Sequence, residues 1–439
     1  MMSLEQTAQQ VIQMLKRHKV SDYEISLSAS SGVSTAVRLG KVETLEYHLD
    51  KSLDINVYMG QAKGHASSVD LSENGILKTV ESACLIAKYT QNDPFNGLAP
   101  KELMAFEVPD LDLYHPWELD PSHSIDLAMR CEAQALEHSG IDNSDGAEVS
   151  SYQGEGLYAN SNDMMSVQKG AKHSLSCSVI AKRDKDMQTA YEYTAALDAQ
   201  DLQTPEWVGD GVAKLAKSKL GARSLSSQKC PVIFSPRVSG GLFSQLISAL
   251  GGSRQYKKST FLLNSLDQLV LPENISILEN PFAKKTIGSK AFDRDGVLKR
   301  TQYFVKDGRV QSYVLSQYSA NQLKLKTTAN AGGVNNLIIE HQFDGTLDEM
   351  TRLMDKGLIV TELMGQGVNA TTGDYSRGAT GFWVENGEIQ HPVSGITIAG
   401  NLKDMLLGIE HIGSDIDHRN NIKVGSIMIN QMTIAGDSE

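Results

Sequence analysis

Apolar residues near the start of the chain fall at helical spacing. Val11, Ile12, Met14 and Leu15 make one stripe, Ser3 stands where a cap belongs and Glu5 lies in the first turn. The period then drops to two. Tyr23-Glu-Ile-Ser-Leu-Ser-Ala alternates as a half-buried strand should. Val33–Leu39 and Val42–Tyr47 flank Gly40-Lys41, which predicts a hairpin. Leu53–Met59 alternates again, and Gly64–Val69 predicts one more strand. Asn74–Tyr89 returns to helical spacing, with Ile76, Val80, Ala83, Cys84 and Ala87 on one face.

The same order recurs at an offset of about 120 residues. Asp120–Glu137 is helical, with Ile125, Leu127, Ala128 and Cys131 inward. Strands are predicted at Gly146–Tyr152, Leu157–Ala159 and Met164–Val167, the last two flanking a turn at Asn160–Asp163. Ser174–Ile180 and Gln188–Thr194 continue the set, and a helix at Val208–Lys219 closes it. Helix, four or five strands, helix, twice, reads as an internal duplication. Between the two sets, Asn92–Pro121 holds five of the eleven prolines and reads as a loop-rich crossover.

After the small, polar stretch Gly221–Lys229 the pattern changes to short strands and glycine turns. Val297–Val305 pairs with Val310–Leu315 around Asp307-Gly308, and Gly381–Val384 with Ile389–Val393 around Asn386-Gly387. Helices are predicted at Val238–Leu250, Leu347–Asp355 and Leu402–Leu407. The expected fold class is α+β: a duplicated helix–strands–helix region, then a mostly antiparallel β region with a few helices. The expected domains are 1–100 and 101–225, the two half-repeats, and 226–439, the β-rich unit.

Composition narrows the function. With 41 Lys and Arg against 53 Asp and Glu, the net charge of −12 argues against nucleic acid as a partner. No run of 18 apolar residues occurs and the N-terminus has no apolar signal core, so neither a membrane span nor secretion is expected, and the chain is placed in the cytoplasm. Cys84, Cys131, Cys177 and Cys230 form no CxxC pair and read as free thiols. Lys229 beside Cys230 is weighed as a thiol activator, with a buried inert thiol preferred.

Motifs of chemistry are sparse. Gly154–Ala159 and Gly365–Ala370 both match GxGxxA, but neither opens a helix after a parallel strand, as a dinucleotide site requires. There is no P-loop, no GxSxG and no HExxH. The densest group of potential metal ligands is His411, Asp415, Asp417 and His418, in a stretch that also reads as a polar loop. His341 ends an apolar strand and is expected to be a hydrogen-bonded edge residue rather than a base.

Two stretches carry a resemblance. One is Thr372-Gly-Asp-Tyr-Ser-Arg-Gly-Ala-Thr-Gly-Phe-Trp-Val-Glu-Asn-Gly with the following Gly395-Ile-Thr-Ile-Ala-Gly-Asn. The other is Cys230-Pro-Val-Ile-Phe-Ser-Pro leading into the helix at Val238. With the N-terminal Val37-Arg-Leu-Gly-Lys-Val-Glu, they resemble the TldD/PmbA family over nearly the whole chain. The resemblance implies a cytoplasmic metallopeptidase of two related subunits enclosing a chamber for unfolded or linear peptides. The family is linked with peptide-antibiotic maturation, antitoxin degradation and modulation of DNA gyrase. Zinc is expected in the TldD-type partner, held by HExxxH and a downstream cysteine.

This chain departs from that pattern. Its slots for HExxxH fall on Ser244, Gln245 and Ala249, and no cysteine follows Cys230. Serine and glutamine are poor zinc ligands, alanine is none, and an amide cannot deprotonate a water. No catalytic residue and no cofactor are therefore expected in this chain, which reads as the subunit lacking the zinc motif. It would work as a heterodimer or higher assembly with a TldD-type subunit, and a homodimer when alone. Two other readings are an enzyme using the His411–His418 group, and a non-proteolytic adaptor or regulator of the gyrase-modulator kind.

Overall fold

A computed structural model describes residues 3–436. Helix α1 (Leu4–Leu15) starts at a capping box in which Ser3 and Gln6 each bond the other's backbone N–H. Strands β1 (Asp22–Arg38), β2 (Lys41–Met59) and β3 (Ala62–Ser68) follow, and helix α2 (Glu73–Tyr89) closes the set. The order then repeats as α3 (Pro121–Leu136), β4 (Ile141–Asn160), β5 (Met165–Arg183), β6 (Asp186–Ala196) and α4 (Pro205–Ser218). Asp120 and Thr204 cap the last two helices, each with proline at the first helical position.

Both sets share one antiparallel sheet in the order β3-β2-β1-β4-β5-β6. The repeat is visible at single residues. Ser28 and Ser52 share a hydrogen bond of 2.8 Å across β1 and β2, and Ser150 and Ser174 one of 2.7 Å across β4 and β5. Both partners sit 122 positions further on (150 − 28 and 174 − 52). Each half has three strands, two of them long, which corrects the four or five expected. The stretch Ser28–Gly32 has no apolar alternation, yet β1 runs straight through it because β2 and β4 pair with it from both sides.

Helices cover one face of the sheet. Ile25, Leu27, Leu53, Ile55 and Val57 pack under α1 and α2, and Val33, Val37, Val149, Leu175 and Val179 under α3 and α4. The contacts are close enough to require glycine. A Cβ on Gly64 would stand 2.1 Å from the Ala83 carbonyl oxygen of α2, and one on Gly209 would stand 2.5 Å from that of Cys131 where α4 crosses α3.

The rest of the chain builds two further sheets. Strands β7 (Gln228–Phe234), β8 (Ser276–Glu279), β9 (Gln302–Lys306), β10 (Arg309–Val310) and β11 (Leu337–Glu340) alternate with α5 (Pro236–Ala249), α6 (Gly252–Tyr256) and α7 (Gln317–Leu323). Then come α8 (Leu347–Met354), β12 (Gly357–Met364), β13 (Asp374–Glu385), β14 (Glu388–Asn401), α9 (Leu402–Leu407), β15 (Ile409–Ile412), β16 (Ile422–Lys423) and β17 (Ile427–Gly436). One sheet runs β14-β13-β12-β7-β17-β15, and β14 also pairs with β17, so it closes on itself. The other runs β10-β9-β8-β11-β16. Pairing is antiparallel except between β7 and β12 and between β11 and β16. The predicted Val310–Leu315 strand is cut to two residues; beyond it Val314 bridges to Gly251 instead. Helix α5 packs Leu242, Phe243 and Leu246 into the core with Phe234 and Phe304. No helix among the described residues is long and apolar enough to cross a membrane.

Charged groups join the two regions. Glu192 of β6 accepts from Arg237 at 2.8 Å and Arg419 at 2.6 Å, and the Arg419 guanidinium lies 4.3 Å from the centre of the Tyr193 ring. Lys285 reaches Asp198 and Asp201, both at 2.8 Å, and Lys219 pairs with Glu362. Nearby, burial pushes the Asp295 carboxyl up to about 7, and the charges of Asp293 and Glu24 push the same way.

Two predictions follow from this packing. Gly209→Ala is expected to lower stability by about 1–3 kcal/mol, since the α3–α4 contact must open to admit a methyl group. An unchanged midpoint of thermal or urea unfolding would show that the helices separate freely. Asp295 binds its proton more tightly folded than unfolded, so its contribution is full below pH 4 and is lost as pH rises through about 7. Between pH 5.5 and 8.5 that loss is roughly 2 kcal/mol. Asp295→Asn is expected to narrow the fall in melting temperature over that interval, and an equal fall in variant and parent would refute the assignment.

Candidate functional site

The face of the sheet that helices do not cover is polar, and it walls a cleft of about 980 Å³. Strand period decides this. Ile25, Leu27, Leu53, Ile55 and Leu157 point to the helices, so Ser26, Ser28, Asp54, Asn56, Gly154 and Gly156 point to the cleft. The opposite wall comes from the β-rich region, at Ser289–Arg294 and Ala331–Asn335.

At one end of the cleft the buried Glu24 carboxylate accepts from the Tyr58 hydroxyl at 2.7 Å and the Tyr158 hydroxyl at 3.0 Å. Burial, then the Glu24 charge, pushes both phenols above their ordinary range, so they remain donors. The opposite wall is fixed by a second set of carboxylates. Asp293 accepts the backbone N–H groups of Asp295, Val297 and Ala331, which ties its loop to the next one. Burial raises the Asp293 pKa against those bonds. Glu279, fully buried, takes Lys299 at 3.0 Å, both Asn330 contacts at 3.0 Å and the Asn335 N–H at 2.7 Å.

Between these fixed walls Lys290 and Arg294 line the cleft, and among the described residues neither side chain has an ion-pair or hydrogen-bond partner. Burial, then the charges of Arg294 and Lys299, lowers the Lys290 pKa. The result is a cleft of hydroxyls, amides and glycine-flattened strand with cations at its mouth. On its floor His65 lies 3.9 Å from Asp54. The Gly154 motif lies in the floor as strand, and Gly365–Ala370 is a turn, so both GxGxxA matches are structural.

Helix α5 presents Ser244 to solvent, Gln245 half-buried and Ala249 buried in the core. Those three offer one hydroxyl and one amide, and Ala249 spends its carbonyl on Gln255 and Thr260. They do not fit a zinc ion. Among the described residues no group of three His, Cys, Asp or Glu side chains is arranged to hold a metal. The late group is dispersed. His411 stacks on Phe343 with ring centres 4.6 Å apart, and Asp415 accepts from Ser426 and Leu347. Asp417 pairs with Arg419 at 2.8 Å, and at His418 it is the backbone carbonyl that is used, by Lys423.

His341, expected as a hydrogen-bonded edge residue, has its Nδ1 buried without a partner; burial lowers its pKa, and a hydrogen bond with the Phe343 backbone acts against that. Strand β11 ends at Glu340, one residue short of it. Cys230 is buried and its thiol is pushed up to about 11 by burial, which leaves it inert. Sequence reasoning missed the cleft wall from Lys290 to Asn335. Its signal was the run Ser289-Lys-Ala-Phe-Asp-Arg-Asp-Gly, too charged for a loop that merely connects strands.

Comparison with known proteins agrees along the chain. Models of the PmbA/TldA metallopeptidase match in three parts: domain 1 at residues 23–87, the central domain at 114–220 and the C-terminal domain at 227–436. The metalloprotease PmbA of Escherichia coli O157:H7 is 48% identical over 414 residues, 94% of this chain and 92% of that one. A PmbA homolog of Haemophilus influenzae is 44% identical, covering 94% and 92%. Two solved structures share the fold. A putative modulator of DNA gyrase from Bacteroides thetaiotaomicron has a TM-score of 0.94 at 24% identity over the full length of both chains. TldE of Thermococcus kodakarensis has 0.83 at 19%, over 98% of this chain and all of that one. The chain belongs to the PmbA/TldD metallopeptidase family.

Proposed function

We propose that this chain is the zinc-free subunit of a two-subunit peptidase of the TldD/TldE type, and that it walls one side of a chamber for unfolded or linear peptides. The observation that carries this reading is helix α5. At the three positions where the zinc motif would stand it offers an exposed serine, a half-buried glutamine and a buried alanine. An apolar face of Leu242, Phe243 and Leu246 makes it a packing helix.

The cleft supports a holding role. Its polar strand face and its Lys290–Arg294 mouth can bind peptide without cutting it. Catalysis then falls to an HExxxH-bearing relative, which supplies the zinc, and this chain supplies position and enclosure. Peptide-antibiotic precursors and antitoxins, in their unfolded states, are the substrate class this reading assigns. It places the assembly in the cytoplasm.

The purified, tag-free chain is expected to carry close to zero zinc per chain by elemental analysis and to leave an unfolded peptide uncut. Adding the HExxxH-bearing relative from the same genome is expected to produce cleavage that neither chain shows alone. Full turnover by this chain by itself, or a stoichiometric zinc, would refute the reading.

A further inference from the structure

The cleft does not share the acidic balance of the chain. The net charge is −12, yet the charges left unspent along the cleft are cationic. Lys299 is buried against Glu279, and the Asp293 carboxylate is taken by three backbone N–H groups. Glu155 and Lys169 lie 3.9 Å apart at odd positions of β4 and β5, which the strand period turns to the helix side. Asp54 stands beside His65. Among the described residues the side chains of Lys172, Lys290 and Arg294 have no ion-pair or hydrogen-bond partner.

These three cations come from both sides. Lys172 is at an even, cleft-facing position of β5, opposite Tyr152 of β4. Lys290 and Arg294 belong to the facing wall. Burial first, and then the charges of Arg294 and Lys299, lower the Lys290 pKa. Like charges held together repel one another, and an anion placed among them relieves the repulsion.

The floor beside them is bare. Ser28, Gly156 and Gln168 stand in register across β1, β4 and β5, and Ser30, Gly154 and Gly170 form the next cleft-facing row. Packing accounts for Gly154, where a Cβ would stand 2.6 Å from the Ala29 carbonyl oxygen. It does not account for Gly156. That residue has no left-handed φ, and among the described residues a Cβ there would meet nothing nearer than the Leu27 carbonyl oxygen, at 3.8 Å. The fold would admit a side chain at Gly156, and its lack of one keeps the floor clear.

The chemistry of the ligand follows. Unpaired ammonium and guanidinium groups on two sides suit a carboxylate. The hydroxyls of Ser26 and Ser30 on the floor suit the amides of an extended backbone. The volume of about 980 Å³ is that of a site for a ligand much larger than a lone small anion.

We propose that this cleft selects peptides that carry a carboxylate, which Lys290 and Arg294 take from one wall and Lys172 from the other while the backbone lies on the serine and glycine floor. The inference rests on the reading of this chain as the peptide-holding subunit. The carboxylate can belong to an acidic side chain or to the C-terminus of the peptide.

Binding to the purified chain tests it, with unfolded peptides of one sequence carrying a neutral dansyl label. The first contains glutamates and ends in a free carboxylate, the second has glutamine for each glutamate, and the third keeps the glutamates but ends in an amide. The first is expected to bind tightest. A loss of about tenfold or more with the second peptide places the carboxylate on side chains, and the same loss with the third places it at the C-terminus. The Lys290→Ala/Arg294→Ala double variant and Lys172→Ala should each lose that preference and keep the parent's melting temperature, since no partner is stranded. Gly156→Leu should weaken all three peptides, and Lys88→Ala, on the outer surface of α2, should weaken none. Equal affinity for the three peptides, binding of none of them, a preference unchanged in the double variant, or full binding by Gly156→Leu would each overturn the proposal. Cleavage after adding the HExxxH-bearing relative separates this inference from the reading beneath it. Cleavage without carboxylate preference in binding leaves the peptidase reading and removes the selection; selective binding without cleavage of any peptide does the reverse.

Discussion

The pleat of the six-stranded sheet governs the rest of the molecule. Strands of 17 to 20 residues, such as β1, β2, β4 and β5, turn alternate side chains to opposite faces over their full length. Once Ile25, Leu53, Val149 and Leu175 are committed to the helices, the intervening serines, glycines and amides have to face the other way. A polar face this long must meet water or something equally polar. The β-rich region approaches it through charged loops and leaves a cleft between them.

A few carboxylates fix the parts around that cleft. Half-buried Glu192 grips two arginines from the second region, and buried Glu279 spends both its oxygens on Lys299, Asn330 and Asn335. Removing one partner from such a group leaves a charge stranded in the interior, which costs far more than the pair contributes. These residues therefore act as fixed supports, whereas Lys290 and Arg294 line the cleft with exposed side chains.

The sequence made the helices legible because their signals are local. Ser3, Asp120 and Thr204 cap where caps were expected or needed, and the apolar stripes of α2 and α5 sit on the buried faces. The strands were legible in kind but not in length. Ser28–Gly32 looks like a break because its stability comes from neighbours about 25 and 120 residues away. The cleft was not legible for a related reason: its walls come from residues 26–56, 152–172 and 289–335, and no local pattern ties them together. The late His411–His418 group is close along the chain, and among the described residues its side chains do not meet at one point.

Duplication gives the two halves the same architecture but not the same surroundings. The second half has its β5 edge covered by the crossover, and Met164 at its β4–β5 turn packs with Val297 and Met104. Among the described residues no such segment covers the first half's hairpin, and Leu45, Tyr47 and Leu49 are exposed. An exposed apolar row on an unpaired edge is a hazard to solubility unless it is used. On α5 likewise the packing face is Leu242, Phe243 and Leu246, while Ser244 faces solvent and Ala249 the core.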